Sequence, residues 1–283
     1  ELCSSSDVSG PPPTLSMRQR IPTAIVLLGL FFLVVQYGSP VLNFIVLQAL
    51  ILAALLEFYG LGRKKKFHPQ RLLGVCFSLT IGFSYFWRQS FPLDLALFVC
   101  ILATGAYYVP KFRRQEQLPY FSQSIAYTFF GAVYLSFTLN YLYLIRLEKG
   151  PFYIYFLCAV VFLGDSGAYM VGKSVGKHKM TPLASPNKTW EGSFGGIIFA
   201  VLGALAAQQL LLRGVDLEQA LLCGVLVHVA AQISDPLESL FKRAVGVKDS
   251  SNILPGHGGF LDRVDSLILA APFFYYFIRY FWR

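Results

Sequence analysis

Long apolar runs, each closed by a short polar break, follow one another along almost the whole chain. Nine can be marked, at about 21–37, 41–60, 72–87, 91–110, 123–145, 152–171, 193–212, 217–234 and 266–282. The runs are apolar on every face. A helix packed into a soluble all-α core would instead carry a polar stripe towards water. A bilayer crossing needs roughly 20 residues, and most of these runs supply that. The pattern therefore predicts an all-α, polytopic integral membrane protein with about nine transmembrane helices. The third run is short and suits a tilted or interfacial helix. Trp87, Trp190, Trp282, Tyr37, Tyr59 and Tyr108 fall near run ends, where aromatic rings favour the membrane–water boundary.

Composition sharpens this picture. Only 14% of the 283 residues are charged and 55% are hydrophobic, against about 25% charged in an average soluble domain. The segment ahead of Met17, ELCSSSDVSGPPPTLS, is polar and rich in Pro and Ser. It reads as a leader or an appended remnant, expected to be disordered and set aside from the fold. Residues 17–150 then form an N-terminal set of transmembrane helices, and 151–283 a C-terminal set that carries the chemically rich loops. No CxxC pair occurs, and four of the five cysteines lie inside apolar runs, so neither a zinc site nor a disulfide framework is expected. With Met17 placed inside, 18 of the 24 Lys and Arg residues share its side and six lie opposite. That asymmetry orients the N-terminus to the cytoplasm and the C-terminus outside.

The inside loops before residue 150 are short and basic, as orientation alone requires. Two later ones, 172–192 and 235–265, mix both charge signs with Gly, Pro, Asn and His. Asp165 lies late in an apolar run, where a carboxylate costs about 2.5–3.5 kcal/mol on insertion scales and is usually functional; the plain alternative is an acid that reaches interfacial water. In MTPLASPNKTWEGSFGG, Ser185-Pro186 has the form of an N-cap followed by N1, so a helix is expected to open there. Its free N–H groups, with Lys188 beside them, would suit a phosphate. In QISDPLESLFKR, Asp235, Pro236 and Glu238 match a capping box at the start of another helix. Lys242 and Arg243 follow as partners for an anion.

The densest stretch is KDSSNILPGHGGFLDRVDS, residues 248–266. Asp262 and Asp265 are three apart at the start of the last run, so a helix puts them on one face. Two carboxylates in a poorly hydrated place repel, and a divalent cation relieves the repulsion; oxygen ligands of this kind suit Mg²⁺ or Mn²⁺. Gly256, Gly258 and Gly259 leave backbone N–H groups open to an anion, and Lys248, His257 and Arg263 add positive or hydrogen-bonding groups. Acids for a metal beside bases for phosphates point to nucleotide or phosphoryl chemistry.

The segment from Ser239 through Lys242-Arg243, Lys248-Asp249 and Pro255-Gly256-His257-Gly258-Gly259 to Asp262-Arg263-Val264-Asp265 resembles the signature of the phosphatidate cytidylyltransferases. Asp165-Ser166-Gly167-Ala168-Tyr169 and the Ser185–Gly192 segment resemble two further family segments. The likeness is specific in the C-terminal half; the N-terminal runs match only in being apolar and multipass. It implies that CTP and phosphatidate in the bilayer become CDP-diacylglycerol and pyrophosphate, with Mg²⁺ as one ion, two divalent ions, or a mixed pair with a monovalent cation. Asp235 and Asp262 are then the central metal ligands, with Asp165, Asp249 and Asp265 as further ligands or neighbours. Lys188, Lys242, Arg243, Lys248 and Arg263 hold phosphates; Ser185, Asn187, His257, Gly258 and Gly259 position substrate. The expected setting is a bacterial inner membrane with the site facing the cytoplasm, a homodimer, and no nucleic-acid partner. The competing readings are a CTP-using enzyme for another lipid phosphate and an ion-coupled transporter. The latter would place its acids near the bilayer midplane and tends to repeat its halves.

Overall fold

A computed structural model describes residues 17–111, 115, 118–251, 253 and 258–282. Each of the nine apolar runs is helical: α1 (Met17–Tyr37), α2 (Pro40–Lys64), α3 (Arg71–Phe86), α4 (Leu93–Lys111), α5 (Leu118–Ala132) continuing into α6 (Thr138–Glu148), α7 (Pro151–Val175), α8 (Trp190–Leu211), α9 (Leu217–Ala244) and α10 (Leu261–Tyr280). Among the described residues, six helices are long and apolar enough to cross a membrane: α2, α4, the continuous 118–148 helix, α7, α8 and α9. α3, at 16 residues, is too short by the same measure. The chain is thus an all-α integral membrane protein.

Local chemistry sets the helix starts. Ser39 caps α2 by accepting from the Leu42 N–H at 3.2 Å, with Pro40 in the first turn. Asp216 caps α9 through the Glu218 N–H at 3.1 Å. A side-chain cap of this kind is worth about 1 kcal/mol. Gly150 takes φ +96° between α6 and α7, a left-handed conformation that glycine adopts without a Cβ penalty, and Pro151 opens α7.

Two sequence expectations fail here. Ser185–Thr189 is not a helix start but the strand β2, paired antiparallel with β1 (Lys179–Thr181) in register Lys179↔Thr189. α8 begins only at Trp190, capped by Thr189 Oγ1 on the Gly192 N–H at 3.1 Å. Ser-Pro meets a strand's needs as well as a helix's, because proline is tolerated near the start of a short edge strand. Asp235 and Pro236 do not open a helix either: α9 runs through them without a break. Pro236 removes one N–H and crowds the carbonyl four residues earlier. Membrane helices carry such a proline where neighbours re-satisfy the freed groups.

Lipid is as apolar as leucine, so the bundle is held by close packing and interhelical polar contacts. α7 and α8 approach through small residues; a Cβ on Gly203 would lie 2.8 Å from the Ala159 carbonyl oxygen. In the N-terminal half, Gln48 Nε2 donates to Asn140 Oδ1 at 2.6 Å and the Tyr59 hydroxyl to the Thr128 carbonyl at 2.6 Å. Tyr59 and Tyr108 are therefore bundle residues rather than boundary residues, both buried, whereas Tyr37, Trp87 and Trp190 are exposed. Trp282 is also buried, against Phe156 and Phe274. α5 passes into α6 through a π-helical segment, Val133–Phe137. Insertions of this type often mark functional positions, and this one carries Tyr134.

Candidate active site

The C-terminal end of α7, the N-terminal end of α8, the C-terminal end of α9 and the N-terminal end of α10 lie at the same end of the bundle. α9 has 28 residues, a rise of about 42 Å. That exceeds a hydrocarbon core of about 30 Å by roughly two turns. The polar part of α9 uses that excess length.

Two lysines organise the acids. Lys188, at the end of the β hairpin, pairs with Asp235 Oδ2 at 2.8 Å; Ser239 Oγ donates to Asp235 Oδ1 at 3.3 Å. Lys242, one turn beyond Glu238 on α9, lies 2.5 Å from Glu238 Oε2 and 2.7 Å from Asp262 Oδ1. Its side chain is 10% exposed, those of Glu238 and Asp262 only 1% and 8%. Asp262 is held further by its other oxygen. Oδ2 accepts from the Gly259 N–H at 2.8 Å and the Ser250 N–H at 3.0 Å. Asp265 faces a different part of the cluster. Its Oδ1 accepts from the Ser266 N–H at 2.7 Å, and its carboxyl lies within electrostatic range of Asp235, Glu238 and Lys242. Ser266 Oγ also donates to Asp165 Oδ2 at 3.0 Å, which ties α10 to α7. Asp165 is in range of Lys188 and Asp235 as well, so it belongs to the cluster rather than merely reaching water.

Asp165, Lys188, Asp235, Lys242, Asp262 and Asp265 are thus brought together. Asp262 and Asp265 have different partners: Asp262 is engaged by Lys242, the Gly259 N–H and the N–H and hydroxyl of Ser250, while Asp265 lies within range of Asp235 and Glu238 on α9. Among the described residues, no three His, Cys, Asp or Glu side chains gather closely enough to hold a metal by themselves. Arg243 spends donors on the Ala184 and Val247 carbonyls at 3.1 and 3.3 Å, tying the hairpin to the end of α9. Asn187, Lys248, Asp249 and Arg263 are exposed at the rim, and none has an ion-pair partner among the described residues. Ser185 lies at the start of β2. Gly258 takes φ +77°, and a Cβ there would lie 2.8 Å from Asp262 Oδ2. His257 and Gly256 lie outside the described residues.

The sequence reading missed three contributors. Glu238 was seen only as a cap partner, yet it is a buried acid whose Oε1 has no hydrogen-bond partner. Tyr134 carries a buried hydroxyl beside Ser234 and within range of Glu238 and Asp265. Glu57, on α2, reaches the signature turn from the other half of the chain. It accepts from Ser250 Oγ at 2.8 Å, Ser251 Oγ at 2.7 Å, the Phe260 N–H at 3.0 Å and the Leu261 N–H at 2.9 Å. A signal for it existed, since Glu57 is the only acid in its apolar run, and acids at membrane depth are seldom idle.

Known proteins resemble this chain along nearly its whole length. The model of the cytidylyltransferase family matches residues 18–281. A Bacillus subtilis (strain 168) protein named phosphatidate cytidylyltransferase is 34% identical over 94% of this chain and 99% of its own length. One of that name from Staphylococcus aureus (strain COL) is 33% identical over 90% and 96%. A Staphylococcus epidermidis protein, again so named, is 43% identical over 52% of this chain and 56% of its own.

Proposed function

Because the chain belongs to the cytidylyltransferase family, we propose that it is the membrane enzyme that converts CTP and phosphatidate to CDP-diacylglycerol and pyrophosphate. The observation that carries this reading is the lysine-neutralised acid cluster at one end of an apolar bundle. A lipid phosphate and a water-borne nucleotide can meet only at such a boundary. A transporter reading would need these acids near the midplane; Asp262 and Asp265 instead sit in the first turns of α10, and Asp235 and Glu238 in the last three turns of α9.

In the reaction, a phosphate oxygen of phosphatidate forms a bond to the α-phosphorus of CTP. The bond from that phosphorus to the bridging oxygen breaks, and its electron pair leaves with pyrophosphate. The nucleophile is already an anion, so alignment and charge neutralisation matter more than proton removal. Lys188 and Lys242 each hold a carboxylate at rest, and they can turn to phosphate oxygens when substrate enters. Arg243, Lys248 and Arg263 line the approach. Ser185, Asn187 and His257, with the Gly258 and Gly259 backbone, position the nucleotide.

Magnesium is the implied cofactor. The donors suit it in kind: Asp235 and Asp262, with Asp165, Asp249 and Asp265 as neighbours, are hard oxygen ligands, and Glu238 Oε1 is buried without a hydrogen-bond partner; because no three of the described acids gather closely enough by themselves, substrate phosphate oxygens would have to complete the set. Bound there, Mg²⁺, alone or paired with a second cation, would neutralise charge between the lipid phosphate and the triphosphate. The full reading includes about nine crossings, a bacterial inner membrane with the cluster on the cytoplasmic side, and a homodimer.

The test is incubation of purified protein with α-phosphorus-labelled CTP, phosphatidate and Mg²⁺, followed by lipid extraction. Label should enter the organic phase as a CDP-lipid, with one pyrophosphate released per lipid. Label that stays in water overturns the reading. Preference for another lipid phosphate over phosphatidate would shift it to a related enzyme.

A further inference from the structure

One carboxylate from the N-terminal half grips both ends of the 250–261 stretch. Glu57 is 6% exposed. On one side it accepts from the Ser250 and Ser251 hydroxyls, on the other from the Phe260 and Leu261 N–H groups. The second pair is the start of α10, which has no side-chain cap of its own; the residue at its N-cap is Phe260. Glu57 therefore caps α10 from another helix, where an acid also meets the positive end of the dipole.

Capping alone would need only Phe260 and Leu261. The two serines do something else. Ser250 Oγ lies 2.8 Å from Glu57 Oε2 and 2.9 Å from Asp262 Oδ2, and its single proton serves one of them at a time. The Ser250 N–H goes to Asp262. Ser250 thus links Glu57 to the carboxylate that holds Lys242. The approach is close: a Cβ on Gly259 would lie 2.1 Å from Ser250 Oγ and 2.2 Å from Glu57 Oε2. Only glycine leaves room for the turn between the two acids.

We propose that Glu57 is a positioning residue, which through Ser250 and the first turn of α10 fixes where Asp262 and Lys242 stand for the cytidylyl transfer proposed above. It touches no reacting atom. Its effect is exerted on alignment, and misplacement of about 1 Å can cost on the order of 10²-fold in rate.

Glu57→Gln keeps the shape but turns an amide NH₂ towards four donors. Glu57→Gln, and separately Ser250→Ala/Ser251→Ala, are compared with the wild type in detergent. Expected for each is wild-type elution on size exclusion, a kcat lower by at least about tenfold, and a KM for phosphatidate within about twofold of normal. A lowered melting temperature with unchanged kcat and KM values would make Glu57 a structural cap only and overturn the proposal. If Glu57→Gln does not fold, the serine variant decides, because it leaves both bonds to the α10 N–H groups in place. Hydrogen exchange of the Ser250 and Gly258–Leu261 amides gives a readout independent of substrate identity. It should speed up in both variants, and unchanged exchange counts against the proposal. A wild type that makes no CDP-lipid would refute the reaction, whereas the exchange result would still judge Glu57.

Discussion

Lys242→Met is the most informative single change. Lys242 lies 2.5 Å from Glu238 and 2.7 Å from Asp262, all three side chains being at most 10% exposed. Methionine keeps the stem length and removes the charge, leaving two acids close together in a poorly hydrated place. Breaking a buried pair by removing one partner typically costs about 3–5 kcal/mol. The two acids do not share that cost equally. Asp262 keeps the Gly259 and Ser250 N–H donors and shares the Ser250 hydroxyl with Glu57. Glu238 keeps none among the described residues, and its Oε1 is already unpartnered. Most of the loss therefore belongs to Glu238, and Glu238→Gln in the Lys242→Met background should restore at least about half of it, because an uncharged amide is far cheaper to bury than an unpaired charge. Equilibrium unfolding in mixed micelles measures this, with the two single variants and the double closing a cycle. Turnover should stay low in the rescued double variant, since the phosphate-binding lysine is still missing. Wild-type stability for Lys242→Met would refute the reasoning, as would a double variant less stable than Lys242→Met.

Asp235→Asn and Asp262→Asn should each fold yet lose most turnover. If they act on one ion, the double should be little worse than either single, read by initial rates against Mg²⁺ concentration; near-normal Asp262→Asn activity with an unchanged Mg²⁺ requirement would leave Asp262 a helix-start carboxylate. Arg88→Gln removes a half-exposed pair with Glu148 at the opposite end of the bundle; turnover should be near normal and stability should change by no more than about 1 kcal/mol. Gly259→Ala forces Ser250 and Glu57 apart and should lower kcat together with the melting temperature, while Gly29→Ala, in open space on α1, should change neither. An impermeant thiol reagent should reach Gly258→Cys from the cytoplasmic face and Arg283→Cys from the outer face; equal labelling of both from outside would overturn the orientation.

Much of the molecule could be read from local pattern, because the membrane makes local pattern decisive. A run that is apolar on all sides has one stable state in lipid, a helix that satisfies its own backbone, and every marked run is one. The mixed-charge stretches were equally visible, since acids and bases clustered beside greasy segments have no role in orientation. Where the sequence misled, one signal was compatible with two structures. Ser185-Pro186 reads as a helix start until Lys179–Thr181 is there to pair with. Asp235-Pro236 reads as a cap until packing against neighbouring helices lets α9 continue through the proline. Only the tertiary structure could show which charges meet. Glu57 and Leu261 are 204 residues apart, and Asp165 and Ser266 are 101 apart. No periodicity or spacing encodes such a pairing. It arises when α2, α7, α9 and α10 are packed side by side, and in a low-dielectric interior a carboxylate must then find whichever donors the neighbouring helix presents.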